Sequence, residues 1–270
     1  ILLGPWAGFL VMASVLTVQA LFFADGGILA LGCNIFNLGF WTCFVAYPWV
    51  YKKTVARHPS QTGRCWAAML ASIIGLQLGA LTVVLQTILS GVSELPFLGF
   101  VAAMQPIHLA IGIVEGFVTA GVVTFVAKAR PQLLETPLPQ TGRRSVSRKT
   151  VSLVLLAAAV VIGGALSWFA SAYPDGLEWA LFKSSGSEEL HTPDKPIYTN
   201  LADLQEKTAF LPDYAFPQTE APPTEQSPDE GWPAVSTGTT VSGLVGGLLT
   251  LLLAFGLGFL LKRHRHPQTQ

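Results

Sequence analysis

His108 and Glu115, in PIHLAIGIVEGFVTA, are the residues best placed to do chemistry in this sequence. Their i, i+7 spacing is two helical turns, so a helix projects both from one face. An ionisable side chain inside an apolar segment is costly to bury and therefore points to function. Glu115, near the middle of its segment, is expected to be protonated or paired with an Asn or a His. His108 lies nearer the end, where an imidazole can meet water or a metal. Asn34 and Asn37 are three apart and share a face of an earlier segment, where amides either bridge helices or line a cavity. Asp25-Gly26-Gly27 is a turn just before that segment. Its glycines take positive φ without penalty, and its aspartate can cap the next helix or serve a site. His264 and His266, in KRHRHPQTQ, could bind a transition metal weakly but read first as a basic stop after an apolar run.

Several chemistries are not written here. There is no H-E-x-x-H for a zinc hydrolase, no G-x-S-x-G nucleophile turn and no G-x-x-x-x-G-K-[ST] phosphate loop. The three cysteines, Cys33, Cys43 and Cys65, have no C-x-x-C spacing and read as small buried hydrophobes.

The elements that must position these residues are membrane spans. The 270-residue chain is 51% hydrophobic and 12% charged, far from soluble averages. Apolar runs long enough for a bilayer occur at Leu2–Phe23, Ile28–Val50, Trp66–Leu89, Pro106–Val126, Val151–Ala170 and Val241–Leu261. The expected fold is thus an all-α polytopic bundle of about six transmembrane helices, with a small extracytoplasmic domain between the last two. Thirteen of the 16 Lys and Arg residues cluster after the second, fourth and sixth runs. By the positive-inside rule, loops 51–65 and 127–150 and the C terminus are cytoplasmic, and loop 171–240 is extracytoplasmic. That loop holds 12 of the 16 acidic residues against three lysines, a local net charge of −9. The expected location is a bacterial or archaeal cell membrane.

The chain divides at a Pro- and Arg-rich stretch. Residues 1–130 form a four-span part, 131–150 a cytoplasmic linker and 151–270 a two-span unit around the outside loop. Within that loop Thr219–Ser236 has a disordered composition, whereas the aromatics between Pro174 and Phe216 can support a small packed structure. Glycines recur four apart at Gly75 and Gly79, Gly112 and Gly116, and Gly243 and Gly247. Such pairs let helix backbones approach closely, inside one chain or between subunits.

ILLGPWAGFLVM with ALFFADGGILALGCNIFNLGF resembles the substrate-binding membrane subunit of cobalt/nickel energy-coupling-factor importers. HLAIGIVEGFVTAGVVTFV resembles the same family's histidine-to-glutamate span. Residues 151–261 resemble the PDGLE accessory unit of these systems, with the motif at Pro174-Asp175-Gly176-Leu177-Glu178 and a second familiar block, KTAFLPDYAF, at 207–216. The resemblance implies capture of Co²⁺ or Ni²⁺ as cargo, no resident cofactor, no enzymatic activity and no nucleic-acid partner. It also implies a separate transmembrane coupling subunit and ATPase subunits, in contact with membrane lipid. In that family nitrogen ligands from a Met-His start and an early-loop histidine hold the metal, a set that suits both ions. The chain opens at ILLGPWAGF, which follows that second histidine in the family. The expectation is therefore an N-terminal truncation, with the primary ligands upstream of Ile1. Asp25, Asn34, Asn37, His108 and Glu115 would then brace the site or line the pathway.

Two other classes compete with this one. A membrane assembly or scaffold protein would use the acidic outside domain to bind cations or partners. An intramembrane metalloenzyme would use His108 and Glu115, but has no nucleophile motif to work with.

Overall fold

The computed structural model describes residues 1–93, 95–134, 146–169, 174–187, 195–217, 233 and 235–263. The expected Thr219–Ser236 tract falls almost entirely outside these residues, and His264 and His266 lie outside them too. Every regular element described is helical: α1 (Gly4–Phe22), α2 (Ile28–Arg57), α3 (Gln61–Leu89), α4 (Phe97–Ala129), α5 (Arg148–Gly164), α6 (Gly176–Ser185), α7 (Pro196–Thr208) and α8 (Thr237–Arg263).

Five of these, α1 to α4 and α8, are long and apolar enough to cross a membrane. The expected span at Val151–Ala170 is shorter than its composition suggested. Its α-helix, α5, has 17 residues and passes into a 3₁₀ turn at Leu166–Phe169. At 1.5 Å per residue it reaches about 26 Å, slightly less than a hydrocarbon core of about 30 Å.

The chain forms two compact units. One comprises Ile1–Met12, Gly32–Ser152 and Tyr173–Pro193, and the other Ala13–Leu31, Leu153–Ala172 and Asp194–Gln270. In the first unit α3 lies between α2 and α4, and small residues set the spacing. A Cβ at Gly112 would stand 3.2 Å from the Ile73 Cα, and one at Gly79 would stand 2.6 Å from the Asn37 carbonyl oxygen. The paired glycines of α3 and α4 therefore serve close helix packing inside the chain. In the second unit Gly243 of α8 meets the Gly163 backbone of α5 in the same way, while Gly247 faces open space.

α2 is not a uniform helix. After a short 3₁₀ and α start, Phe36–Tyr51 winds with the wider i to i+5 turn, with Pro48 inside it, before α-geometry resumes at Lys52. Proline has no N–H to donate and its ring crowds the preceding turn, so Pro48 does not fit a regular α-helix. Aromatic rings line this stretch: Phe36 stacks on Phe40 at 4.8 Å, and Phe44 meets Trp6 of α1 at 4.9 Å.

Candidate metal-capture site

The P-D-G-L-E run owes its sequence to a helix start. The Asp175 carboxylate accepts from the Leu177 and Glu178 N–H groups at 2.7 and 2.9 Å, and Glu178 accepts from the Asp175 N–H at 3.0 Å. This reciprocal capping box satisfies the N–H groups that open α6, and Gly186 in left-handed backbone (φ 79°) closes the helix. Ala180 and Leu181 of α6 are buried with Val84 of α3 and Phe100 and Met104 of α4. That packing seats Gly176 on α4: a Cβ there would lie 3.2 Å from His108 Cε1 and 3.0 Å from Ile111 Cδ1. His108 is half-buried beneath it, with Nδ1 2.8 Å from the Met104 carbonyl oxygen. A carbonyl oxygen only accepts, so Nδ1–H is the donor in this bond, and in the neutral ring Nε2 is then the acceptor.

Glu115, two turns along α4, has a different neighbourhood. It is exposed on the protein and lines a cavity of about 250 Å³ with Thr42, Cys43, Ser72 and Thr119. A hydroxyl contact at 3.4 Å joins Ser72 to Thr119 across α3 and α4.

The two asparagines also part company. Asn37 is only 4% exposed, and its amide donates to Gln86 Oε1 of α3 at 2.8 Å. Its Oδ1 is buried without a hydrogen-bond partner. Asn34 is half-buried in the preceding α-turn. Widening of the helix from Phe36 onward separates surroundings that simple i, i+3 spacing would have made alike.

Asp25 belongs to the second unit and does not cap α2. The first helical turn of α2 starts after Gly27, without a side-chain cap. The Asp25 carboxylate accepts instead from Gln19 Nε2 at 2.9 Å and from the Tyr214 hydroxyl. Tyr214 lies in the FLPDY segment after α7, which grips the end of α1 through main-chain bonds. Leu211 N–H donates to the Phe22 carbonyl at 3.3 Å and Asp213 N–H to the Phe23 carbonyl at 2.9 Å. Gln205 of α7 donates to the Ala20 and Gly26 carbonyls, both at 3.0 Å. Leu211 is buried with Val18 and Phe23, and the Tyr214 ring stacks on Phe23 at 5.1 Å. Burial and the hydrogen bond to Asp25 together push the Tyr214 phenol well above the usual tyrosine range. Sequence reasoning singled out KTAFLPDYAF only as a familiar block. A tyrosine and a glutamine among apolar residues did not reveal that Asp25 was their partner.

Among the described residues no group of three or more His, Cys, Asp or Glu side chains could hold a metal ion. No hydrogen bond joins Asn37, His108 and Glu115. What the structure does assemble is a helical membrane scaffold in which each PDGLE block contacts one polar residue: α6 on His108 in one unit, and FLPDY on Asp25 in the other.

This architecture is that of a multi-pass membrane protein. The family model for the cobalt uptake substrate-specific transmembrane region (CbiM) matches residues 1–133, and that for the PDGLE domain matches residues 149–263. A candidate fused nickel transport protein, NikMN, of Archaeoglobus fulgidus is 32% identical over 259 residues, covering 95% of this chain and 73% of that protein. A candidate metal transport protein of Haloquadratum walsbyi is 39% identical over 136 residues, and the cobalt transport protein CbiM of Sorangium cellulosum 31% identical over 144. Each of these two alignments covers 50% of this chain and 60% of the relative, so the chain spans less than two thirds of their length. No solved structure matches the chain. The chain belongs to the CbiM cobalt-uptake family, as a cobalt/nickel transport component carrying a PDGLE domain.

Proposed function

We propose that this chain captures Co²⁺ or Ni²⁺ as the substrate-specific component of an importer of the energy-coupling-factor type. Separate transmembrane coupling and ATPase subunits supply the energy. The observation that carries the reading is the succession of a CbiM region and a PDGLE domain in one chain, aligned over 95% of its length with a fused relative named for nickel transport. Residues 1–130 form the capture part, 131–150 a cytoplasmic linker and 151–270 the accessory unit, with loop 171–240 outside the cell. The clustering of basic residues after α2 and α4 supports that orientation.

In this reading Asp25, Asn34, Asn37, His108 and Glu115 brace the capture site or line its approach rather than supply the main ligands. Two observations support that role. Asn37 Oδ1 is a buried acceptor with no partner, a state that costs free energy unless function uses it. The bond from His108 Nδ1–H to Met104 leaves Nε2 of the neutral ring as the nitrogen that can meet a metal or a donor.

The test is uptake of radioactive cobalt and nickel by cells that lack their own importer. Cells are compared with this chain, the coupling and ATPase subunits, or all of them together. Accumulation that needs the chain and the energising subunits together is the expected result. Equal accumulation with and without the chain would reject the proposal.

A further inference from the structure

We propose that the connection between α2 and α3 is a binding site for an anionic phospholipid, its phosphate held by side chains of the loop and one acyl chain laid along α3. The site is a cavity of about 550 Å³ lined by Thr54, Arg57 and His58 from the end of α2, Thr62 from the start of α3, and Trp66 and Leu70 one and two turns further along α3. The polar and apolar parts of the lining follow one another along the helix, as headgroup and chain do in a lipid.

The polar end suits a phosphate. Arg57 is exposed and has no hydrogen-bond or ion-pair partner among the described residues. A guanidinium with all its N–H groups available can take phosphate oxygens in bidentate fashion. The Thr62 hydroxyl is exposed beside it. Ser60 is already committed, because its Oγ accepts the Gly63 N–H at 2.9 Å and caps α3. Charge agrees: no acidic residue occurs between Asp25 and Glu94, whereas Lys52, Lys53, Arg57 and Arg64 all do.

The apolar end suits a chain. Trp66 is 57% and Leu70 41% exposed, four residues apart on one face of α3. At the same end of α2, Trp49 is exposed with Lys53 Nζ 4.0 Å above its ring. Exposed tryptophans beside basic residues at helix ends are how membrane proteins meet the interface. A free phosphate ion would use the loop but leave the Trp66–Leu70 wall uncovered, which is why a lipid is the favoured source.

The test reads tryptophan quenching in the full chain reconstituted with bromine-labelled phosphatidylglycerol or bromine-labelled phosphatidylcholine. The unaltered chain is expected to bind phosphatidylglycerol several-fold more tightly. R57Q should cut that preference about fivefold, the contribution of one cation at a lipid surface, while R57K keeps most of it. T62V should reduce it less, and W66F should remove the component of quenching specific to phosphatidylglycerol. Equal quenching by both lipids in the unaltered chain would overturn the proposal, as would a preference unchanged in R57Q or quenching unchanged in W66F.

Discussion

Tyr214 donates its hydroxyl to the carboxylate of Asp25, 189 residues earlier in the chain, and Gln19 donates to the same carboxylate oxygen. The backbone on both sides is held in left-handed geometry without glycine: φ is 56° at Ala24, 50° at Asp213 and 59° at Tyr214. Each such residue costs on the order of 1–3 kcal/mol and persists only where its surroundings over-determine it. Here they do, through the main-chain bonds of Leu211 and Asp213 to the end of α1 and the two carbonyls held by Gln205. The FLPDY segment thus fixes the turn that leads out of α1.

Tyr214→Phe should keep the ring stacked on Phe23 and lose only the donor. Because Asp25 is exposed, the expected cost is about 1 kcal/mol, at the low end for a bond to a charged group. Asp25→Asn should cost a similar amount, and the double variant no more than the larger single. Thermal unfolding of the four proteins in detergent measures this. Strictly additive losses would mean that the two side chains do not act as one contact.

The same bond sets a pH dependence. The Tyr214 phenol titrates above its ordinary range because burial, and then the bond to Asp25, disfavour the phenolate. A raised folded-state value means the stabilisation is complete below the unfolded value of about 10 and is lost as pH rises through the folded value. The Tyr214 contribution should therefore be constant through neutral and mildly alkaline pH. The difference in unfolding temperature between the unaltered chain and Tyr214→Phe, followed from neutral pH to above pH 10, tests the sign. A difference that vanished between neutral pH and pH 9 would contradict it.

Gly176→Val should damage the contact between α6 and α4, because even a Cβ at this position would press on His108 and Ile111. The α6 N-terminus must then shift, at a typical overpacking cost of about 1–3 kcal/mol. Adding His108→Ala should restore part of the loss by making room. Proteolytic susceptibility of α6 reports the shift. A Gly176→Val chain as resistant as the unaltered one would show that the close approach is not required.

Much of the scaffold was legible from periodicity and charge, and the rest was not, for identifiable reasons. Apolar run length located the helices of α1 to α4 and α8, since bilayer thickness fixes the length a span needs. It overstated α5, where Ser167 and the aromatics after Gly164 leave the α-helix for a 3₁₀ turn. Local chemistry allowed Asp25 either to cap the next helix or to serve a site, and a partner 189 residues away took the carboxylate. The i, i+3 pairing of Asn34 and Asn37 assumed a regular helix, and the wide turns from Phe36 to Tyr51 removed that assumption. Spacing assumes regular local geometry: two of these outcomes came from departures from a regular α-helix and the third from a partner distant in sequence.

Asn37→Ala removes the amide that bridges α2 to Gln86 and also an acceptor that is already unsatisfied. The two effects oppose each other, so the stability loss should be modest, about 1 kcal/mol, and smaller than that of Gln86→Leu, which strands the Asn37 amide. Membrane insertion should be unaffected in both. If Asn37 braces the capture site, its alanine variant should also weaken metal uptake by more than that stability loss explains. Uptake that simply tracks the amount of folded protein would make Asn37 an interhelical bridge and nothing more.

The orientation in the membrane rests on charge and can be tested at two described, exposed positions. In a background with Cys33, Cys43 and Cys65 replaced by serine, cysteine is introduced at Asp203 of α7 or at Pro59 between α2 and α3. The bias that orients a multi-pass protein counts Lys and Arg in short loops near the spans, and Lys52, Lys53, Arg57 and Arg64 flank Pro59. Asp203 instead lies in the segment with the local excess of acidic residues. An impermeant thiol reagent added to intact cells should label Asp203→Cys and leave Pro59→Cys unlabelled until the membrane is opened. Pro59 and Asp203 are separated by α3, α4 and α5, so labelling from opposite sides requires α5, 17 residues with a 3₁₀ end, to cross the membrane as well. Reversed labelling would place the PDGLE segments on the cytoplasmic side. It would also remove Asp25 and Tyr214 from any role in receiving metal from outside.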